Sequence, residues 1–362
     1  MKVLHIIPNG YVNGTSAHVL SLTRQQVKIV ENCKVLIYGE NGRFGKMMQD
    51  QGAEVKSLNC SSGHDFTICG KLYREIKKNN PDIVHFHSLP LLGAITMRLC
   101  NCTTIFTIHG RNSRKSSKIT SVFYGSSING VIAVSNVLRQ SCQRANLFPK
   151  SMWTVIYNGI DTVRFSPDSE FSYGSDSDKR FDLIMVTRFS KDKHVIDAVR
   201  IIHILRKKYN IDARLLLVGA GSQESLLKEE MEKLNIKDYV TFAGEIVDPS
   251  SVLKKSHGFL MLSEYETFGI GALEAAACGT PIFSYPVQGG INEWLKDGNG
   301  GVFSEDRTPD SLAERIAEVS SHCEHWQSLR ISARGLAVKF TEEKMAKETM
   351  SFYEEIIKNK IE

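Results

Sequence analysis

The sequence lacks any hydrophobic run long enough to cross a membrane. None of its apolar stretches approaches the roughly 20 residues that a transmembrane helix needs. The opening apolar segment, 1–8, is short and ends at a proline, which is not the pattern of a signal peptide. We therefore expect a cytoplasmic protein, with peripheral contact to the inner face of the membrane left open.

The sequence also lacks paired cysteines and a dinucleotide fingerprint. Eight cysteines occur, none of them in a Cys-x-x-Cys pair, so we expect buried free thiols in a reducing compartment. Cys100 and Cys102 stand alone and are a weak indication of a zinc site. The first loop, 8–14, has no Gly-x-Gly-x-x-Gly, which disfavours a nicotinamide oxidoreductase.

What the sequence does contain suits two globular domains. Of its 362 residues, 42% are hydrophobic and 23% charged, which is typical of globular rather than disordered chains. The length exceeds that of one ordinary core. Because the segment 166–179 is rich in Ser, Asp and Gly, it indicates a linker, and we place the first domain at 1–165 and the second at 166–340.

Charge is divided unevenly between these domains. Residues 1–165 hold 20 Lys and Arg against 8 Asp and Glu, or +12, and the remainder holds 25 against 32, or −7. The imbalance favours an anionic partner for the first domain, such as nucleic acid, a phosphorylated acceptor or a membrane surface. A solvated surface explains the same numbers.

Apolar strands alternate with helices in both domains. In the first, the predicted strands are 2–7, 34–38, 54–57, 82–86, 103–108 and 131–134, and the alternation restarts at 181–186 in the second. This pattern predicts two doubly wound parallel sheets, hence an α/β fold. Ligands bind such sheets at the carboxyl ends of the strands.

The segment 263–281 is where we expect the chemistry. A buried strand, 257–262, leads into a loop that carries Glu266, and a small-residue helix carries Glu274 about two turns further on. Between them, the backbone N–H groups of Phe268, Gly269 and Ile270 occupy a helix start that suits a phosphate. Carboxylates beside an anion site would bind neutral hydroxyls, so the combination fits a nucleotide sugar.

Seven residues separate Glu266 from Glu274, and Glu274 begins the string Glu-Ala-x-Ala-Cys-Gly-Thr-Pro. This pattern resembles the signature of the retaining glycosyltransferases of family 4. The resemblance implies the GT-B fold, in which two Rossmann-like domains face each other across a cleft, with the acceptor on the first and the nucleotide sugar on the second. It further implies that the last helix, 341–362, returns to the first domain, and that no nucleic acid is bound. The implied reaction moves a hexosyl or N-acetylhexosaminyl group to a hydroxyl acceptor, such as a cell-surface glycan or a lipid-linked saccharide.

The resemblance assigns roles to further residues. In the family's first loop two adjacent glycines approach the donor diphosphate and the acceptor; Gly14 preserves the second of them and Asn13 replaces the first. His109, in Ile-His-Gly, would lie against the donor sugar. Arg188 and Lys193 match a family motif whose flanking glycines are replaced here by Thr187 and His194. Taken alone, an Arg and a Lys at this spacing are usually surface charges.

By the same resemblance, Glu266 would bind the sugar hydroxyls and Glu274 the ribose hydroxyls. Arg188, Lys193 and the helix-start amides would bind the diphosphate of a UDP-, GDP- or ADP-sugar. Since two cations can neutralise a diphosphate, we predict that no metal is required. A nucleotide-sugar epimerase of the same fold and a non-catalytic nucleotide-sugar sensor remain alternatives.

The densest basic cluster, 111–118, is followed closely by the apolar residues Val122, Phe123 and Tyr124. Such a pattern suits contact with an anionic membrane surface when the acceptor is lipid-linked. A solvated loop is the alternative.

Overall fold

The computed structural model describes residues 1–11, 14–61, 65–100, 102–110, 114–171 and 180–361. Parts of four expectations lie outside the described residues: 12–13 of the first loop, 111–113 of the basic cluster together with the side chains of 114–117, 172–179 of the linker, and residue 362 of the last helix. Within the described residues, no helix is both long and apolar enough to span a bilayer.

The chain divides into two compact units. The first comprises Met1–Gly159 and Phe340–Glu362, and the second comprises Ile160–Lys339. The first boundary therefore falls after Gly159, whereas the sequence analysis places it after residue 165. Residues 160–165 precede the linker-like segment but belong to the second unit.

The first unit is built on a seven-stranded parallel sheet. Its strands are β1 (Lys2–Ile7), β2 (Asn32–Ile37), β3 (Glu54–Ser57), β4 (Ile83–Phe86), β5 (Thr103–Ile108), β6 (Gly130–Ala133) and β7 (Met152–Val155). The spatial order is β3-β2-β1-β4-β5-β6-β7. The helices between them are α1 (Gly14–Gln26), α2 (Gly42–Asp50), α3 (Ile68–Asn79), α4 (Gly93–Cys100), α5 (Arg114–Tyr124) and α6 (Asn136–Arg144).

The second unit repeats this plan. Its strands are β8 (Arg180–Val186), β9 (Asp212–Val218), β10 (Val240–Gly244), β11 (Gly258–Met261), β12 (Ile282–Ser284), β13 (Lys296–Asp297) and β14 (Gly300–Phe303). They are parallel, in the order β10-β9-β8-β11-β12-β14-β13. Its helices are α7 (Val195–Lys207), α8 (Glu224–Lys233), α9 (Ser250–Leu253), α10 (Ile270–Ala277), α11 (Pro309–Ser320) and α12 (Cys323–Ala337). The prediction of two doubly wound parallel sheets is confirmed.

The last helix, α13 (Glu342–Ile361), packs on the first unit. Its Phe352, Tyr353 and Ile356 are buried in a cluster with residues of the first sheet such as Val3. Gly130 makes room for this helix, since a Cβ there would lie 2.9 Å from the ring of Phe352. The C-terminal helix is thus part of the core of the first unit.

Candidate active site

Two cations follow β8 at its carboxyl end. Lys193 ends a short 3-10 turn, and His194 after it has a φ of 51°, the left-handed region that usually favours glycine. Arg188 is exposed, and its Nη2 lies 3.9 Å from a carboxylate oxygen of Asp192. Its Nε donates to Oγ of Ser190 at 3.4 Å. Both contacts of Arg188 are long, whereas Lys193 is held by a shorter contact.

That contact is an ion pair between Lys193 and Glu266. The Nζ of Lys193 lies 2.6 Å from Oε1 of Glu266, and both side chains are 21% exposed. Ser263 donates from its Oγ to the same carboxylate oxygen at 2.8 Å. Because the pair joins the loop after β8 to the loop after β11, it brings two predicted site residues to one place.

The loop that carries Glu266 is held by the segment 288–294. The backbone N–H of Glu266 donates to the carbonyl of Gln288 at 2.9 Å, and the N–H of Gln288 donates to the carbonyl of Glu264 at 3.0 Å. Gly289 has a φ of 119°, and a Cβ there would lie 2.1 Å from the carbonyl oxygen of Glu266. Trp294 donates from Nε1 to the carbonyl of Phe268 at 2.9 Å. Three hydrogen bonds and a close glycine contact therefore hold the backbone of this loop in place.

α10 begins directly after this loop. Gly269 caps the helix with a φ of 79°, and a Cβ there would meet Ile291 at 2.6 Å. The carbonyl of Gly269 accepts from the N–H of Leu273 at 2.9 Å. The N–H groups of the first helical turn have no partner within a helix, so Ile270 and its neighbours offer donors beside Glu266.

Glu274 lies in α10 and is partly buried. Burial raises the pKa of its carboxyl to about 7, an effect that the positive charge of Arg164 opposes and the negative charge of Asp248 reinforces. The Nε of Arg164 is itself buried without a hydrogen-bond partner in the described structure. Arg164 was missed in the sequence analysis, where the one available signal was its place shortly after the turn-forming residues 158–161, Asn-Gly-Ile-Asp.

In the first unit, five histidines form one cluster: His5, His18, His85, His87 and His109. They come from β1, from α1 and from the ends of β4 and β5. The sequence analysis names only His109 among them as a site residue. The available signal for His5 was a polar residue inside an otherwise apolar buried strand.

Hydrogen bonds connect four of these histidines to their surroundings. Nδ1 of His5 lies 3.0 Å from Nε2 of His87, and Nδ1 of His87 lies 3.1 Å from Nε2 of His109. His85 contacts the hydroxyls of Tyr353, at 2.6 Å, and Thr107, at 2.7 Å. The cluster is therefore an ordered network.

The fifth histidine, His18, is held through one nitrogen only. Its Nδ1 lies 2.8 Å from Oδ1 of Asn158. Its Nε2 is buried without a hydrogen-bond partner among the described residues. Since the amide oxygen only accepts, His18 carries its proton on Nδ1.

The cluster is electrically neutral at physiological pH. Burial lowers the pKa of His5 and of His18 to about 4. Burial and the other histidines nearby hold the pKa values of His85, His87 and His109 well below the ordinary value. Neutral imidazoles can each donate through one nitrogen and accept through the other.

A cavity of about 380 Å³ opens beside the cluster. His87 and His109 contribute to its wall together with hydroxyl groups such as that of Thr15, and its remaining surface includes apolar side chains such as Phe106 and Leu138. It lies at the carboxyl ends of β4 and β5, where a ligand of a parallel sheet is expected. Gly14, the predicted diphosphate contact, begins α1 one residue before Thr15.

The structure thus joins some predicted site residues and separates others. Glu266, Lys193 and the start of α10 are adjacent in the second unit, with Glu274 further along the same helix. His109 and Gly14 belong to the first unit.

Two family models match the chain. Residues 12–164 match the model described as Glycosyltransferase Family 4, and residues 168–335 match the model described as Glycosyl transferases group 1. The two matches together take in most of both units.

Curated relatives agree with these models. N-acetyl-alpha-D-glucosaminyl L-malate synthase of Bacillus anthracis is 27% identical in an alignment of 322 residues that covers 82% of this chain and 80% of the relative. The capsular polysaccharide biosynthesis glycosyltransferase CapH of Staphylococcus aureus is 24% identical in an alignment of 345 residues that covers 90% of this chain and 92% of the relative.

Solved structures show the same fold. Anabaena HepE in complex with UDP and glucose superposes with a TM-score of 0.82 at 17% identity, covering 97% of this chain and 99% of that one. Sucrose-phosphate synthase from Thermosynechococcus elongatus gives a TM-score of 0.79 at 16% identity, covering 99% and 100%. With two parallel seven-stranded sheets and both family models matched, the chain belongs to the family 4 glycosyltransferases and has the GT-B fold.

Proposed function

We propose that this glycosyltransferase moves a sugar from a nucleotide-diphosphate sugar to a hydroxyl acceptor, with retention of anomeric configuration. The observation that carries the proposal is the Lys193–Glu266 pair, 2.6 Å apart, beside the start of α10. A cation, a carboxylate and the backbone amides of a helix start supply what a diphosphate and a hydroxyl-rich sugar each require.

In this proposal the donor binds to the second unit. Lys193, Arg188 and the amides of Phe268, Gly269 and Ile270 hold the diphosphate. Arrival of the diphosphate draws Lys193 away from Glu266, which frees the carboxylate to accept from the sugar hydroxyls. Glu274 accepts from the ribose hydroxyls.

The same proposal assigns the acceptor to the first unit, whose cavity contains both polar and apolar groups. We propose that Gly14 and His109 contact substrate, His109 at a sugar hydroxyl. The acceptor class is a glycan or lipid-linked saccharide, supported by the relative CapH of capsular polysaccharide biosynthesis.

For the chemical step we propose displacement on a single face of the sugar. The bond between the anomeric carbon and the diphosphate oxygen breaks, and the acceptor oxygen bonds to the same face. The acceptor proton passes to an oxygen of the leaving diphosphate. Lys193 and Arg188 stabilise the charge that accumulates on that group, and because two cations do this we expect activity to persist in EDTA.

A donor screen tests the proposal. UDP-sugars come first, because HepE was solved with UDP and glucose, followed by GDP- and ADP-sugars. Binding and slow hydrolysis are measured for the intact chain, for Glu274→Ala and for the exposed control Glu229→Ala. We expect one donor to be bound and cleaved, with loss only in Glu274→Ala.

Other outcomes of the screen identify the alternatives. Conversion of the donor sugar to an isomer without acceptor would indicate an epimerase, and tight binding without cleavage would indicate a sensor. Once an acceptor is found, an inverted anomeric configuration in the product would contradict the same-face step. If no donor binds, the assignment of the second unit is wrong.

We also propose peripheral contact with the inner face of the membrane, through α5. Its residues Ile119, Val122 and Phe123 are exposed apolar side chains, and Lys118 beside them is exposed. Such a helix face suits an anionic interface. Co-sedimentation with vesicles that contain anionic lipid, compared with neutral vesicles, tests it, and equal recovery with both would exclude it.

A further inference from the structure

Gln26, at the end of α1, contacts two series of hydrogen-bonded side chains in the first unit. One is His5, His87 and His109, and the other is Tyr353 and His85. Its Oε1 lies 2.6 Å from Nε2 of His5. Its Nε2 lies 3.5 Å from the hydroxyl of Tyr353 and 3.7 Å from the sulfur of Met350. A side-chain amide accepts only through oxygen and donates only through nitrogen, so His5 carries its proton on Nε2.

This choice determines the tautomers that follow. Nδ1 of His5 is then a lone pair and accepts from the Nε2–H of His87 at 3.0 Å. Nδ1 of His87 is in turn a lone pair and accepts from the Nε2–H of His109 at 3.1 Å. Because a neutral imidazole has one N–H, each hydrogen bond fixes the next ring.

This series of hydrogen bonds ends at His109, whose Nδ1 carries a lone pair and no proton. No hydrogen bond to this nitrogen occurs within the described part of the chain, and His109 is partly exposed and lines the cavity. His5 and Gln26 are fully buried, with 0% exposure. Solvent therefore has no access to the Gln26 end of this series, where the direction of the hydrogen bonds is determined.

We propose that Gln26 is a positioning residue: acting through His5 and His87, its amide holds His109 as the Nε2–H tautomer, with Nδ1 as an acceptor for a substrate hydroxyl. The proposal rests on the proposed function for the substrate, but not for the tautomer. Such a site recognises a group that donates a hydrogen bond, as sugar hydroxyls do, and offers nothing to a phosphate oxygen.

The network has one other neutral arrangement, which makes the proposal testable. If the amide of Gln26 were rotated, its nitrogen would donate to His5, every bond of the chain would reverse, and His109 would carry its proton on Nδ1. The hydroxyl of Tyr353 would then donate to the amide oxygen. The sulfur of Met350 favours the first arrangement, since sulfur is an acceptor and would face the amide oxygen in the second.

The tautomer can be read directly by nitrogen NMR of the intact protein labelled with ¹⁵N-histidine. Protonated and unprotonated ring nitrogens give distinct signals, and the variant His109→Gln assigns the ring by loss of its signals. We expect His109 to show a protonated Nε2 and an unprotonated Nδ1 near pH 7.5. The opposite pattern, or rapid exchange between the two, overturns the proposal.

Variants at Gln26 test the cause. Gln26→Met keeps the length of the side chain but removes the amide, and we expect mixed tautomers at His109. Gln26→Glu keeps an acceptor toward His5 and should retain the wild-type tautomer. The neighbouring change Gln25→Met, which removes a hydrogen bond to Glu342 instead, should leave His109 unchanged. An unaltered His109 spectrum in Gln26→Met would refute the role of Gln26.

Activity supplies the second readout. With a substrate in hand, Gln26→Met should raise the KM or lower the turnover about tenfold, the effect expected for one hydrogen bond to substrate, while Gln25→Met should not. If the wild-type protein proves inactive toward every donor, the proposed function fails, and the NMR result still decides the tautomer. If Gln26→Met does not fold, the wild-type spectrum decides it alone.

Discussion

The two units use polar groups in opposite ways. In the second unit, opposite charges meet at a partly exposed place, where Lys193 pairs with Glu266. In the first unit, five histidines are packed together with no carboxylate among their contacts in the described part of the chain, and burial keeps them neutral. The comparison teaches that a charged site suits an anionic ligand, whereas a neutral network fixes the direction of hydrogen bonds.

Acid should produce the largest difference in stability between the two units. The pKa of His5 and of His18 is about 4 in the fold against 6.5 in the unfolded chain. The unfolded state therefore binds more protons between these values, so the stability present above pH 6.5 is lost as pH falls toward 4, by about 3 kcal/mol for each histidine. Hydrogen exchange should show less protection of β1 and β4 at pH 5 than at pH 7. Equal protection of these strands at the two pH values would contradict the neutral network.

Removing the cation should have the next largest effect, on turnover. Lys193→Ala leaves the developing charge of the diphosphate without a fixed partner, and we expect turnover to fall about 10²- to 10³-fold. The control is Lys191→Ala, which removes an exposed lysine from the same turn. Near-normal turnover in Lys193→Ala would show that the ion pair with Glu266 is only structural.

Glu274 should give the second unit a pH response of the opposite sign. Its pKa is about 7 in the fold against 4.5 in the unfolded chain, so its contribution is full below pH 4.5 and is lost as pH rises toward 7. The change is at most about 3 kcal/mol. Unfolding by urea at pH 5 and pH 7 measures it in wild type and Glu274→Gln. An identical pH dependence in the two proteins would contradict the raised pKa.

The smallest expected effect concerns one hydrogen bond of the neutral network. Thr107→Val removes the hydroxyl that His85 contacts at 2.7 Å, and a buried polar group left without a partner costs about 1–3 kcal/mol. Thr103→Val on the same strand, β5, is the matched control. Equal free energies of unfolding for the two variants would show that the contact contributes little.

The sequence predicts the second site better than the first, for a physical reason. Motif spacing places Glu266, Glu274 and the helix start near one another because they are close along the chain. It does not predict the pairing of Lys193 with Glu266, which are 73 residues apart. Only the folded sheet brings the loops after β8 and β11 together.

The histidine network was out of reach for the same reason. His5, Gln26, His87 and Tyr353 lie in four separate segments and form no local pattern. The sheet architecture follows from strand alternation, which is local, whereas the network follows from strand order, which places β4 beside β1. Tautomers are one step further from the sequence, since they depend on the orientation of one amide.

The packing of α13 has a consequence for the order in which the protein is made. The second unit is one continuous stretch of chain, 160–339, but the first is completed only by residues 340–362. During synthesis, therefore, every residue of the second unit is added before Phe352 and before Tyr353, whose hydroxyl contacts His85. The unit that is begun first on the ribosome is the unit that is finished last.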